Sequence, residues 1–200
     1  MRFVCLALVI FIAGCTTIAR QGVDTRTDLL IESWEIKGRL GARIDRQGGS
    51  ASFIWHRQRD NHSIELYGPL GSGRIFLKQT DGRASLIDNS SEFFGDNLED
   101  VLFQRVGWLI PFDKMQQWIV GQPEHDAISD LQFENSRLIK FRQSGWQVSY
   151  DKFEEFSGAT IPTKITLTAI NTYLNELSGN TGRELENARV KIIIKTFTHG

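Results

Sequence analysis

Trp34-Glu35-Ile36-Lys37-Gly38-Arg39-Leu40-Gly41-Ala42-Arg43-Ile44-Asp45 is the stretch that decides the architecture. Its even positions carry Trp, Ile, Gly, Leu, Ala and Ile, while its odd positions, Gly41 apart, are charged. A period of two sends one set of side chains to a buried face and the other to water, which is the pattern of a half-buried antiparallel strand. Similar segments follow at 50–57, 63–67, 74–79 and 84–88, separated by Gly, Asn and Asp clusters that favour turns. Further on, Ile139 and Phe141 alternate with charged or polar neighbours, as do Trp146, Val148 and Tyr150. Ile165 and Leu167 within 163–169, and then Val190, Ile192 and Ile194, complete the series. Short strands on short turns predict an antiparallel meander that curls into a barrel or half-barrel.

The middle of the chain changes period. Ser90 or Ser91 is placed to cap a helix running to about Val106, with Phe94, Leu98, Val101, Leu102 and Arg105 along one side. Pro111 opens a second helix whose apolar face is Phe112, Met115, Trp118 and Ile119, and Gly121 and Pro123 close it. Two amphipathic helices inside a meander must lay their apolar faces on the sheet, as a plug or a lid. The polar, Gly- and Asn-interrupted stretch 171–187 reads as a long hairpin loop with local helix.

Two hundred residues, 40% of them apolar, make one ordinary domain with room for a core. A formal net charge of -1 supplies no field to attract nucleic acid, so no nucleic-acid partner is expected. Both cysteines, Cys5 and Cys15, lie in the first fifteen residues, which rules out a disulfide framework in the body. Before Cys15 comes Arg2 and an unbroken apolar run from Phe3 to Ala13. That run is shorter than the roughly 20 residues a membrane-spanning helix needs, and it fits a secretory signal. The organisation expected is a signal peptide over 1–14, a tether over 15–33 and a folded domain over 34–200.

Catalytic signatures are missing from the sequence. It contains no G-x-S-x-G elbow, no phosphate-binding G-x-x-x-x-G-K-[ST] loop and no H-E-x-x-H helix. His56 and His62 read as solvated surface groups, and Glu154 with Glu155 as a water-facing pair in a polar connection. Neither an enzyme, a metal nor a cofactor is expected. What remains is apolar: 5 Trp and 13 Phe, with Trp34, Phe53, Trp55 and Trp146 in inward phases, which suits either an ordinary core or a cavity for an elongated apolar ligand. Gly68-Pro69-Leu70-Gly71 fits a type I turn that holds Leu70 at its outer corner.

Several of these segments together resemble one family. Ile12-Ala13-Gly14-Cys15 is similar to a bacterial lipobox, which implies cleavage before Cys15 and acylation of that residue. Thr16 follows where Asp would resemble an inner-membrane retention signal, so the outer membrane is expected. Trp34 with Lys37-Gly38-Arg39-Leu40, then Phe53-Ile54-Trp55, Pro69-Leu70-Gly71-Ser72, Ile110-Pro111 and Gln117-Trp118-Ile119-Val120-Gly121-Gln122-Pro123 resemble the LolB family in order and spacing. The resemblance implies an unclosed antiparallel β-barrel covered by a helical lid, enclosing a hydrophobic cavity of the LolA/LolB type. It implies an outer-membrane receptor, facing the periplasm, that takes acylated passenger lipoproteins from the carrier LolA by mouth-to-mouth transfer and inserts them into membrane lipid. By position, Pro69, Leu70, Gly71 and Ser72 would form the insertion loop, and Cys15 would carry the lipid. Candidates to line the cavity are Trp34, Ile36, Phe53, Trp55, Leu66, Trp118 and Trp146. The protein is expected to be a monomer. The competing expectation is an envelope lipoprotein that uses the same half-barrel for another lipid or as an assembly scaffold.

Overall fold

The computed structural model describes residues 32–68, 73–89, 91–124, 127–182 and 184–200. Cys15 and Pro69-Leu70-Gly71-Ser72 lie outside the described residues, as do the expected signal and almost all of the expected tether. Strands β1 (Ser33–Ile44), β2 (Gln47–Gln58), β3 (Asn61–Tyr67), β4 (Ile75–Thr80), β5 (Arg83–Ile87) and β6 (Glu92–Gly95) precede helices α1 (Leu98–Val106) and α2 (Phe112–Trp118). Strands β7 (Ser129–Glu134), β8 (Arg137–Gln143), β9 (Trp146–Phe156) and β10 (Ala159–Ala169), helix α3 (Asn171–Thr181) and strand β11 (Ala188–His199) follow.

All eleven strands form one sheet in the order β6-β5-β4-β3-β2-β1-β11-β10-β9-β8-β7, with antiparallel neighbours throughout. Two consecutive meanders are therefore stitched along a single long-range seam, β1 against β11, from Trp34↔His199 to Ile44↔Ala188. β6 and β7 end the sheet without pairing to each other, so the barrel is unclosed, and α1 and α2 occupy the chain between those two edges. Tight turns set the register. Asp81-Gly82, Asn135-Ser136, Ser144-Gly145 and Ser157-Gly158 each have positive φ at both positions, between 49° and 85°. This is the two-residue geometry whose twist matches that of paired strands.

The meander gives the sheet two ends. One, the rim, carries the turn at 45–46, the β3–β4 and β5–β6 connections, the turn at 144–145 and the start of β11. The opposite end, the base, carries the first residue of β1, the turns at 59–60, 81–82, 135–136 and 157–158, and the end of β11.

Alternation along β1 appears as expected: Trp34, Ile36, Gly38, Leu40, Ala42 and Ile44 are buried, and the residues between them face outward. One apolar cluster runs from Trp34 to Phe197 and draws on both meanders and on α1, α2 and α3. Among the described residues, 32–200 contain the sheet and its core. At Gly38 the β1–β11 register shifts, and a Cβ there would sit 2.2 Å from the Ile193 carbonyl oxygen and 2.9 Å from the Phe53 ring. No side chain fits without parting the seam. Gly38→Ala is expected to cost about 1–3 kcal/mol, the usual range for overfilling a packed interior. Urea unfolding would measure it, and a variant as stable as the parent would show slack in the seam.

Four expectations need correction. The chain at 92–95 is strand β6 and not the first turns of a helix; α1 starts only at Leu98, with Asn97 as its cap, its Oδ1 accepting the Asp100 backbone N–H at 2.9 Å. Phe94 consequently stands on the outer face, 75% exposed, while Leu98, Val101 and Leu102 are buried as expected. The stretch 171–187 is largely helix α3, because Tyr173, Leu174 and Leu177 share a face that packs on the core. Glu154 and Glu155 belong to β9 rather than to a connection, and Lys152 pairs with Glu154. His62 is buried, not solvated: it shares the inward phase of β3 with Ile64 and Leu66.

Candidate functional site

Two aromatic groups fill the concave side of the sheet. In the first, Trp34 from β1 meets Trp55 from β2 edge-on, with ring centroids 5.1 Å apart. Phe112 from α2 closes on the other side of Trp55 at 5.6 Å. The Trp55 indole N–H donates to His62 Nδ1 at 3.1 Å, and burial, helped by the nearby Arg57, pushes the imidazole pKa down to about 4. His62 is therefore neutral near pH 7, which leaves Nδ1 free to accept. In the second group Trp118 from α2 packs on Phe141 of β8, which in turn packs on Tyr150 of β9.

Polar bonds pin α2 to this second group. Trp118 Nε1 donates to Gln143 Oε1 at 2.7 Å, Gln143 Nε2 donates to the Glu124 carbonyl at 2.8 Å, and the Tyr150 hydroxyl donates to the Trp118 carbonyl at 2.9 Å. Burial raises the Tyr150 pKa far above the ordinary range, so the phenol remains a donor. α2 is thus tied by hydrogen bonds to β8 and β9, while its other end touches the β1–β2 half through Phe112 alone among the aromatic contacts. On that side Gln116 of α2 also stands beside His62 of β3, and the Asp113 backbone N–H meets Glu99 of α1, so α2 spans both halves of the sheet.

Each sequence-expected lining residue falls within this interior. Trp34, Ile36, Phe53, Trp55, Leu66, Trp118 and Trp146 are all at most 2% exposed and belong to the one cluster. These seven side chains pack against their neighbours and offer almost no surface to solvent. Phe112 was legible from its helix and Tyr150 from its shared phase with Trp146; Gln143 and His62 were not assigned to the interior. A signal existed for Gln143 and His62, since a polar residue in an inward phase beside a Trp marks a buried hydrogen-bond partner.

A carboxyl sits at the joint between the helices. Glu99 of α1 accepts the Asp113 backbone N–H of α2 at 3.4 Å, and burial raises its pKa to about 7, with Asp113 and Asp100 adding to the rise. A carboxyl whose folded pKa exceeds its unfolded one contributes stability that is complete below about pH 4.5 and is lost as pH rises through 7. Glu99→Gln is expected to abolish that loss, on the order of 2 kcal/mol between pH 5 and 8. Thermal melts across this range check it: parallel pH curves for variant and parent would place the carboxyl in water.

Among the described residues no cluster of three His, Asp, Glu or Cys is arranged to hold a metal, and no helix is long and apolar enough to cross a membrane. An unclosed antiparallel barrel whose apolar concavity is roofed by helices defines a class shared with solved structures. A LolA superfamily protein, NE2245 of Nitrosomonas europaea, superposes with a TM-score of 0.50 over 88% of this chain and 92% of its own, at 9% identity. A DUF1329 family protein of Desulfovibrio piger gives 0.50 over 88% and 89%, at 7% identity. These likenesses concern fold.

Sequence is more specific. The family profile described as Outer membrane lipoprotein LolB matches residues 32–196, and the chain belongs to the LolB family. An outer-membrane lipoprotein LolB of Pseudomonas fluorescens strain Pf-5 is 30% identical over 83% of this chain and 88% of its own length. One from Pseudomonas fluorescens strain Pf0-1 is 33% identical over 68% of each.

Proposed function

We propose that the chain is a lipid-anchored receptor of the outer membrane, facing the periplasm, which accepts acylated lipoproteins from the carrier LolA and delivers them into membrane lipid. Membership of the LolB family carries this reading, and the position of α2 over an aromatic interior supports it. Trp34, Ile36, Phe53, Trp55, Leu66, Trp118 and Trp146 line the space that acyl chains enter when the lid swings away. Cys15 carries the anchor, Pro69, Leu70, Gly71 and Ser72 form the loop that meets lipid, and the receptor acts as a monomer without catalysis.

The physical constraint on such a receptor is severe. Withdrawing acyl chains from water is worth about 0.8 kcal/mol per methylene, so three full chains exceed any known non-covalent affinity. Passage through water is excluded on useful timescales, and the chains must move between apolar interiors brought mouth to mouth. Transfer needs no energy source when the receptor interior is slightly more favourable than the carrier's, and release follows because bilayer is more favourable still. A direct test mixes purified carrier, loaded with a radiolabelled acylated lipoprotein, with residues 16–200. Label is expected to move to the receptor without ATP; label that stays on the carrier overturns the reading.

A further inference from the structure

The outer face of the β1–β11 seam has a feature that the aromatic interior does not explain. Arg43 and Arg46 at the end of β1, with Arg189 and Lys191 on β11, surround a cleft of about 520 Å³. Its floor is flat because Gly41 and Gly48 offer no side chains, and a Cβ on Gly41 would meet nothing closer than 3.7 Å. All four cations are exposed, and among the described residues none of them forms an ion pair with a carboxylate. The Asp45 side chain is turned away onto the backbone amides of Glu186 and Asn187, at 3.0 Å each. In a chain whose charges nearly cancel, four cations around one cleft, none in an ion pair among the described residues, concentrate positive charge there.

Its position specifies the anion. Arg43, Arg46 and Arg189 stand at the rim, the same end from which β3 leads, beyond Gly68, into the connection to β4. On the far side of that connection, also at the rim, Phe76 and Ile87 are paired neighbours on the outer face of β4 and β5, 44% and 41% exposed. Two strands separate β1 from β4, which is about 15 Å at the usual spacing. Exposed apolar side chains beside exposed cations at one end of a protein match the two layers of a bilayer surface, acyl region and phosphate.

We propose that this cleft binds the phosphodiester headgroups of anionic phospholipid and so holds the half-barrel rim-down on the membrane. The inference rests on the reading of the chain as a membrane-delivering receptor but concerns a surface outside its interior. Each cation near an anionic bilayer is worth about a five-fold change in partitioning.

Flotation of residues 16–200 with phosphatidylethanolamine vesicles, with and without 20% phosphatidylglycerol, tests it. Binding is expected to rise with phosphatidylglycerol, to fall as salt is raised from 50 to 300 mM, and to drop about 25-fold in Arg43→Gln/Arg189→Gln. Arg46→Gln/Lys191→Gln should match it, which guards against misfolding of either pair, and Lys152→Gln, on β9, should change nothing. Inorganic phosphate at 10 mM should leave vesicle binding intact; full competition would mean a site for free phosphate and overturn the proposal. Equal binding to both vesicle types also overturns it. So does loss of acceptance from the carrier in the absence of vesicles, for that would make the cleft a docking face for an acidic protein. Failure of the transfer test with phosphatidylglycerol dependence retained would instead overturn the receptor reading alone.

Discussion

Trp118→Ala is expected to destabilise the domain by about 4–5 kcal/mol, at the top of the range for removing a buried aromatic side chain. Three losses combine at this position. The indole is fully buried, it gives up its contact with Phe141, and its departure leaves Gln143 Oε1 without the donor that holds it at 2.7 Å. Loss of a hydrogen bond of this kind costs about 0.5–1.5 kcal/mol. Since domains of this size hold only about 5–15 kcal/mol in total, the variant should unfold at markedly lower urea. Trp118→Phe separates the terms, because it keeps most of the packing and loses only the bond. A Trp118→Ala midpoint within error of the parent would show that α2 is not anchored through this residue.

The second large effect concerns delivery. Leu70→Glu is expected to leave acceptance of a passenger from the carrier unchanged while insertion into liposomes falls by at least ten-fold. An apolar side chain entering the bilayer gains about 1.5–3 kcal/mol, and a carboxylate in its place pays a desolvation cost instead. Accumulation of passenger on the receptor, measured by pull-down after adding liposomes, is the expected signature. Insertion at the parental rate would remove the loop from the mechanism.

Alternation made the sheet legible wherever one face is buried. β1 could be assigned residue by residue, since six inward positions answer six outward ones across a long, twisted strand. β7 escaped because only Leu131 and Phe133 alternate with its polar residues, too few positions to mark a strand, and all six residues are exposed. β6 escaped for a different reason: Phe93 and Phe94 lie just ahead of a true helix, and over so short a stretch apolar pairs fit either period. The aromatic lining was legible because Trp and Phe in the inward phase have only one place to go. The polar bonds that fasten α2 were not, because Gln143 and Tyr150 meet Trp118 across 25 and 32 residues of chain.

β1 enters the sheet at the base, whereas the cations, the apolar pair and the β3–β4 connection all lie at the rim. Under the proposed function, a receptor anchored through Cys15 would be held by the end opposite to that surface and would have to turn over to deliver. The geometry permits this. The eighteen residues from Cys15 to β1 reach at most about 60 Å, and the twelve residues of β1 span about 40 Å. With the proposed anchor at Cys15, that reach would exceed the length of the body to be turned, so that one fastened molecule could present its rim first to an arriving carrier and then to the lipid.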